Sequence, residues 1–140
     1  MSIDQDLEKI ALQERRLQFR HFDSGVAWAV GCALKAAAEK TQAAVAIDIQ
    51  LHGFPLFSYA IGLKHERANT TLQGTTGLDL KDYSIHGGCF PIFVAGTGCV
   101  GTITVSGLPQ REDHGLVVSV LQDYLHLTGE DLALDPPRKA

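Results

Sequence analysis

The stretch His86-Gly87-Gly88-Cys89-Phe90-Pro91-Ile92-Phe93-Val94-Ala95-Gly96-Thr97-Gly98-Cys99-Val100-Gly101-Thr102-Ile103-Thr104-Val105 decides how this chain folds. Phe90, Ile92 and Val94 alternate with other residues, and Val100, Ile103 and Val105 resume an apolar strand beyond Gly96-Thr97-Gly98. Successive side chains of a strand point to opposite faces, so a period of two marks a strand buried on one side. The glycines supply the turn. This reads as a β-hairpin, which Gly107-Leu108-Pro109 then breaks. From Glu112 to Leu127 the period becomes helical, with Leu116, Val117, Val120, Leu121 and Leu125 on one side. Glu112 and Asp113 suit the positive end of that helix. The hairpin and the helix should therefore bury their apolar faces against each other.

Toward the N-terminus, Asp4 to Leu17 reads as a helix, with Leu7, Ile10, Ala11 and Leu17 near one face. Asp23 or Ser24 caps a second helix that runs to about Lys40, with Val26, Ala27, Val30, Leu34, Ala37 and Ala38 at helical spacing. Val45, Ile47 and Ile49 alternate with polar or small residues, which predicts a strand from Ala44 to Leu51. His52-Gly53 turns it into a second strand, Phe54 to Phe57, where Pro55 signals a sheet edge or a bulge. Ser58 to Asp82 has room for a short helix but is broken by Gly62, Gly74 and Gly77. The tail, from Gly129 to the final Pro136-Pro137-Arg138-Lys139-Ala140, reads as frayed. The order is α-α-β-β-(α)-β-β-α. Tight hairpins imply antiparallel pairing, so the fold class is α+β, a single domain with helices packed on the faces of an antiparallel sheet.

A 140-residue chain suits one domain, and one of this size buries roughly 68–70% of its unfolded surface without staples. Its net charge of −4 supplies no basic stripe to displace counterions from phosphates, which argues against nucleic acid as a partner. Cys32, Cys89 and Cys99 cannot complete a disulfide framework. The acidic start MSIDQDLEKI lacks the layout of a signal peptide, and no apolar run reaches the roughly 20 residues that span a bilayer. A reduced, cytoplasmic protein with no membrane partner is the expectation.

Several residues invite a chemical reading. His86-Gly87-Gly88 precedes a strand, and paired glycines let backbone N–H groups approach an anion; a turn that needs glycine is the plainer account. Gly98-Cys99-Val100-Gly101-Thr102 reads better as a bulged strand packed close to a neighbour than as a ligand cradle. His86, Cys89, Cys99 and His114 are residue types that zinc uses, but their spacing matches no compact knuckle, and no metal ligand is assigned. Ser106, Asp113 and His114 do not form a G-x-S-x-G elbow, and neither nucleotide-binding fingerprint occurs. No catalytic residue is assigned.

The segment YSIHGGCFPIFVAGTGCVGTITVSGLPQREDHGLVV, residues 83–118, resembles the HbpS-like haem-binding and GlcG-like family. The likeness rests on H-G-G-x-F-P-I, G-x-V-G-T-x-T-V-S-G-L-P and D-H-x-L-V-V in that order, and runs from about Leu7 to Leu125. It implies a profilin-like sandwich that assembles into homo-oligomers. It also implies a bond to haem or another tetrapyrrole in some relatives, or a haem-degrading type of domain. The haem ligands of the haem-binding relatives map onto no motif here. Relatives of this branch carry a further stretch on the order of 25 residues between the strand ending near Phe57 and the flank SYAIGL, longer than an ordinary connection. Here Phe57 and Ser58 are joined directly, either because that stretch is lost or, as the match of both flanks favours, because a segment is absent from the sequence as read.

Three functions follow as expectations. The first is a homo-oligomeric small-ligand-binding protein with haem as candidate cofactor and a site at His86, Gly87, Gly88, Cys89 and His114. The second is a non-catalytic oligomeric scaffold joined through the small-residue helix from Val26 to Ala38. The third is an enzyme of unassigned chemistry.

Overall fold

The computed structural model describes residues 3–59 and 88–134, which form three helices and five strands. They are α1 (Ile3–Arg16), β1 (Gln18–Phe19), α2 (Ser24–Lys40), β2 (Ala46–Leu51), β3 (Phe54–Tyr59), β4 (Gly88–Val94), β5 (Gly98–Ser106) and α3 (Gln110–Tyr124). The Asp23 carboxylate accepts the Val26 N–H at 2.9 Å and so starts α2, satisfying one of the donors that a helix N-terminus leaves open. His52 and Gly53 both take positive φ (50° and 81°), the pairing that the tightest hairpin turn requires. The β4–β5 turn closes with the Thr97 N–H donating to Val94 O at 3.0 Å, and Gly96 and Gly98 carry its positive φ values.

The strands form one sheet in the order β1-β4-β5-β2-β3. β4–β5, β5–β2 and β2–β3 are antiparallel, as the hairpins predict. β1 pairs parallel with β4, Gln18 beside Phe93 and Phe19 beside Val94. Two residues are too short to show a period, so β1 is invisible to pattern reading. Phe19 locks it in place, 2% exposed and packed edge-on against Phe22 at 4.9 Å.

One face of the sheet carries Phe90, Ile92, Ile103, Val105, Ile47, Ile49 and Phe57, all buried. α2 lies over β2 and β3 and α3 over β4 and β5, side by side and in contact. Val30 and Leu34 of α2 and Val117 and Leu121 of α3 complete the core at 0% exposure. Each such side chain contributes about 1.5–3 kcal/mol on burial, against about 1 kcal/mol for a net hydrogen bond. Packing therefore sets the register, and a slip of one residue would turn the whole apolar set outward.

The structure departs from the sequence reading in three further places, and bears it out at Pro55. β3 runs unbroken through the Phe57–Ser58 junction to Tyr59, so the start of the ambiguous stretch is strand; the rest of it, together with His86 and Gly87, lies outside the described residues. Pro55 sits in an end strand and also beside a register shift at Ile49–Gln50. Leu7, expected to face the core, is 59% exposed, and α1 instead turns Gln13 inward at 0%. The tail expected to fray from Gly129 is held as far as Leu132, which is 1% exposed.

Candidate functional site

Strand alternation divides the expected site. Gly88 and Phe90 face the helices, and Cys89 between them is exposed on the opposite face. Gly88 pairs with Val105, and a Cβ there would lie 2.6 Å from the Asp113 Cβ and from Val105 O. Its glycine thus lets the first turns of α3 settle on β4. That is a close-packing role, and its φ is not in the left-handed region.

His114 lies on the same side, its ring 5.9 Å from that of Phe90. Its Nε2 is 2.7 Å from the Oε1 of Gln13, 101 residues away in sequence. The Gln13 Nε2 donates to Leu132 O at 2.6 Å, so the amide oxygen is the acceptor and the imidazole proton sits on Nε2. Burial, reinforced by the nearby Arg111 guanidinium, lowers the His114 pKa below the ordinary histidine value. Arg111 itself grips Asp6 through two bonds of 2.9 and 2.8 Å, which hold the Asp6 carboxyl below its usual range. His114 is therefore a neutral, half-buried clasp between α3, α1 and the tail. Asp113, 2% exposed, does not orient it: its Oδ1 accepts the Leu108 N–H at 3.0 Å.

The opposite face of the sheet carries a polar row. Register places Cys89 beside Thr104, Thr104 beside Asp48, and Asp48 beside Ser58. Gln50 Nε2 donates to Asp48 Oδ2 at 2.7 Å, and the Ser58 hydroxyl reaches Asp48 Oδ1 at 3.4 Å. Cys89 ends this row with an exposed thiol. Cys99 is also exposed and its thiol donates to Gly101 O at 3.5 Å; Cys32 on α2 is half-buried. Among the described residues no three His, Cys, Asp or Glu side chains gather to hold a metal ion, and no helix is long and apolar enough to cross a membrane.

Of the five residues expected at the site, Gly88 seats against Asp113 of α3, His114 on that helix packs near Phe90, Cys89 lies on the opposite face of the sheet, and His86 and Gly87 lie outside the described residues. Gln13 was missed. A polar residue between Ile10 and Leu17 on the inward stripe of a helix was its one signal in the sequence.

Comparison with known proteins agrees with this architecture. A family model described as haem degrading protein HbpS-like matches residues 53–122. A UPF0303 protein of Azotobacter vinelandii is 46% identical over 163 residues, covering 96% of this chain and 98% of that protein. A second, from Serratia proteamaculans, is 43% identical over 91% of this chain and 97% of its own length. Among solved structures, the Ybr137w protein superposes with a TM-score of 0.64 at 24% identity, over 89% of this chain and 90% of that one. The Klebsiella pneumoniae protein ORFY, of family DUF336, does so at 0.50 and 19%, over 76% and 91%. These two likenesses speak for the fold alone. The family match and these relatives make this chain a member of the HbpS-like family and, by its sequence relatives, of the UPF0303 proteins.

Proposed function

We propose that this protein is a homo-oligomer that binds a small ligand, and that the ligand is haem or a related tetrapyrrole. The supporting observation is the match to a family described as haem-degrading, over a segment that holds both Cys89 and His114. When bound, haem presents an iron that takes a protein histidine, cysteine, methionine or tyrosine as axial ligand. The side chains ask different things of such a group. His114 has its Nε2 committed to Gln13 and would have to break that clasp to reach iron. The Cys89 thiol is exposed and has no hydrogen bond among the described residues, so of these two it is the donor free to take that place. No reaction is assigned.

Titration with haemin tests this reading. A shifted Soret band that saturates at one haem per chain is expected, lost or displaced in Cys89→Ser and kept in His114→Ala. Loss in His114→Ala with Cys89→Ser unchanged would move the ligand to the other side of the sheet. The absence of any Soret shift with the unaltered protein would end the haem reading.

A further inference from the structure

α2 uses its small-residue face inside the chain, so that face is closed to a partner. Val26, Ala27, Val30, Gly31, Leu34 and Ala38 are all buried against the sheet and α3. What α2 turns outward is Trp28, 66% exposed. Gly31 permits this arrangement, because a Cβ there would stand 2.5 Å from the Phe57 ring. With α2 pressed so close, Trp28, one turn earlier, meets Phe57 edge-on, centroids 5.6 Å apart at 68°. One turn later, Lys35 lies 5.5 Å over the ring of Tyr59, itself 38% exposed. Phe54, at the start of β3, is 73% exposed. Three of the large exposed apolar residues thus gather at a single strand, Phe54 and Tyr59 at its ends and Trp28 beside it.

That strand is the last in the sheet formed by the described residues, and its outer side meets no other strand among them. An end strand offers a row of backbone donors and acceptors, which proteins commonly blunt with proline or a bulge. Here Pro55 and the register shift guard only the first half and leave Phe57 to Tyr59 regular.

We infer that a second copy of this chain docks on this edge, the two β3 strands side by side about a two-fold axis and Trp28 closed over by the partner copy. This rests on the homo-oligomer reading above and names its surface. A second copy fits because antiparallel strands related by a two-fold offer each other the same backbone groups, so the patch is complementary to itself. Charge agrees. The chain carries a net −4 and two copies repel on average, but among the described residues the charged pair beside Tyr59, Lys35 and Glu39, is neutralised internally at 3.2 Å. A neutral aromatic edge lets like meet like, and among the described residues no net charge on it selects an acidic or basic partner.

Trp28 is the only tryptophan and so reports directly on the contact. Sedimentation and tryptophan emission would be followed together over a dilution series of the whole protein. The expected result is an oligomer with blue-shifted, iodide-protected emission that turns red and quenchable as it dissociates. Trp28→Lys should weaken association about thirtyfold or more, as loss of an interface anchor does, with the circular dichroism of the monomer unchanged. An oligomer whose Trp28 stays quenchable, or one that survives Trp28→Lys, overturns the inference and leaves the homo-oligomer reading standing. A monomer at every concentration overturns both.

Discussion

Gln13 of α1 and His114 of α3 meet through a 2.7 Å hydrogen bond, and the same Gln13 amide holds Leu132 O at 2.6 Å. One fully buried side chain thereby joins the first helix, the last helix and the tail. Around it stand the pairs Asp6–Arg111, Lys9–Asp131 and Arg16–Glu130. Lys9–Asp131 and Arg16–Glu130 each keep a solvent-exposed partner and contribute little; the bidentate, half-buried Asp6–Arg111 pair adds more, and the fully buried amide ties the three elements together.

Replacing Gln13 by alanine strands the Leu132 carbonyl and the His114 Nε2–H without their partner. A buried polar group left unsatisfied costs about 1–3 kcal/mol. Urea unfolding of Gln13→Ala should show a loss of at least that size, well beyond that of Glu14→Ala one residue along.

The clasp makes stability depend on pH. The folded-state pKa of His114 is lowered, so below the ordinary histidine value the unfolded chain takes up the proton more readily than the folded one. The stability that neutral His114 confers is complete above about pH 6.5 and falls away as pH drops toward the folded value. Unfolding free energy measured from pH 7.5 to 5 should decline, and His114→Gln should flatten the part of that decline just below pH 6.5. An unchanged slope in the variant would place the titration elsewhere.

Gly88→Ala separates two accounts of the glycine pair. If packing is the reason for the glycine, the added methyl meets Asp113 and Val105 O, and the chain loses about 1–3 kcal/mol as overpacked sites do. If the glycine instead serves a ligand, stability holds and binding falls. Thermal unfolding with and without haemin would tell them apart; the first outcome is expected.

Leu132 tests the tail. It is 1% exposed, and truncation of a buried leucine to alanine costs about 2–5 kcal/mol. Leu132→Ala should therefore lower the melting temperature by several degrees or more. A change within error would mean the tail is frayed after all.

Much of the fold was legible because the reasons for it are local. The alternation of Phe90, Ile92 and Val94, the His52-Gly53 turn, and Asp23 ahead of Val26 each act within a few residues. The split of the site between Gly88 and Cys89 was also present, since neighbours on a strand cannot share a face. Leu7 misled. Its spacing matches a core stripe, but the side α1 turns inward is decided by the polar clasp around Gln13, Asp6 and Lys9.

The sequence by itself determined the two hairpins, the long helices and which face of each hairpin strand is apolar, because hydrophobic period and turn chemistry are properties of short stretches. Only the tertiary structure decided that Gly88 is a seat for α3, that His114 is tied to Gln13, and that Trp28 stands outside beside an end strand. Those relations join residues far apart in the chain. They depend on how closely whole elements approach, a distance set by steric contact and burial across the core and carried by no single segment.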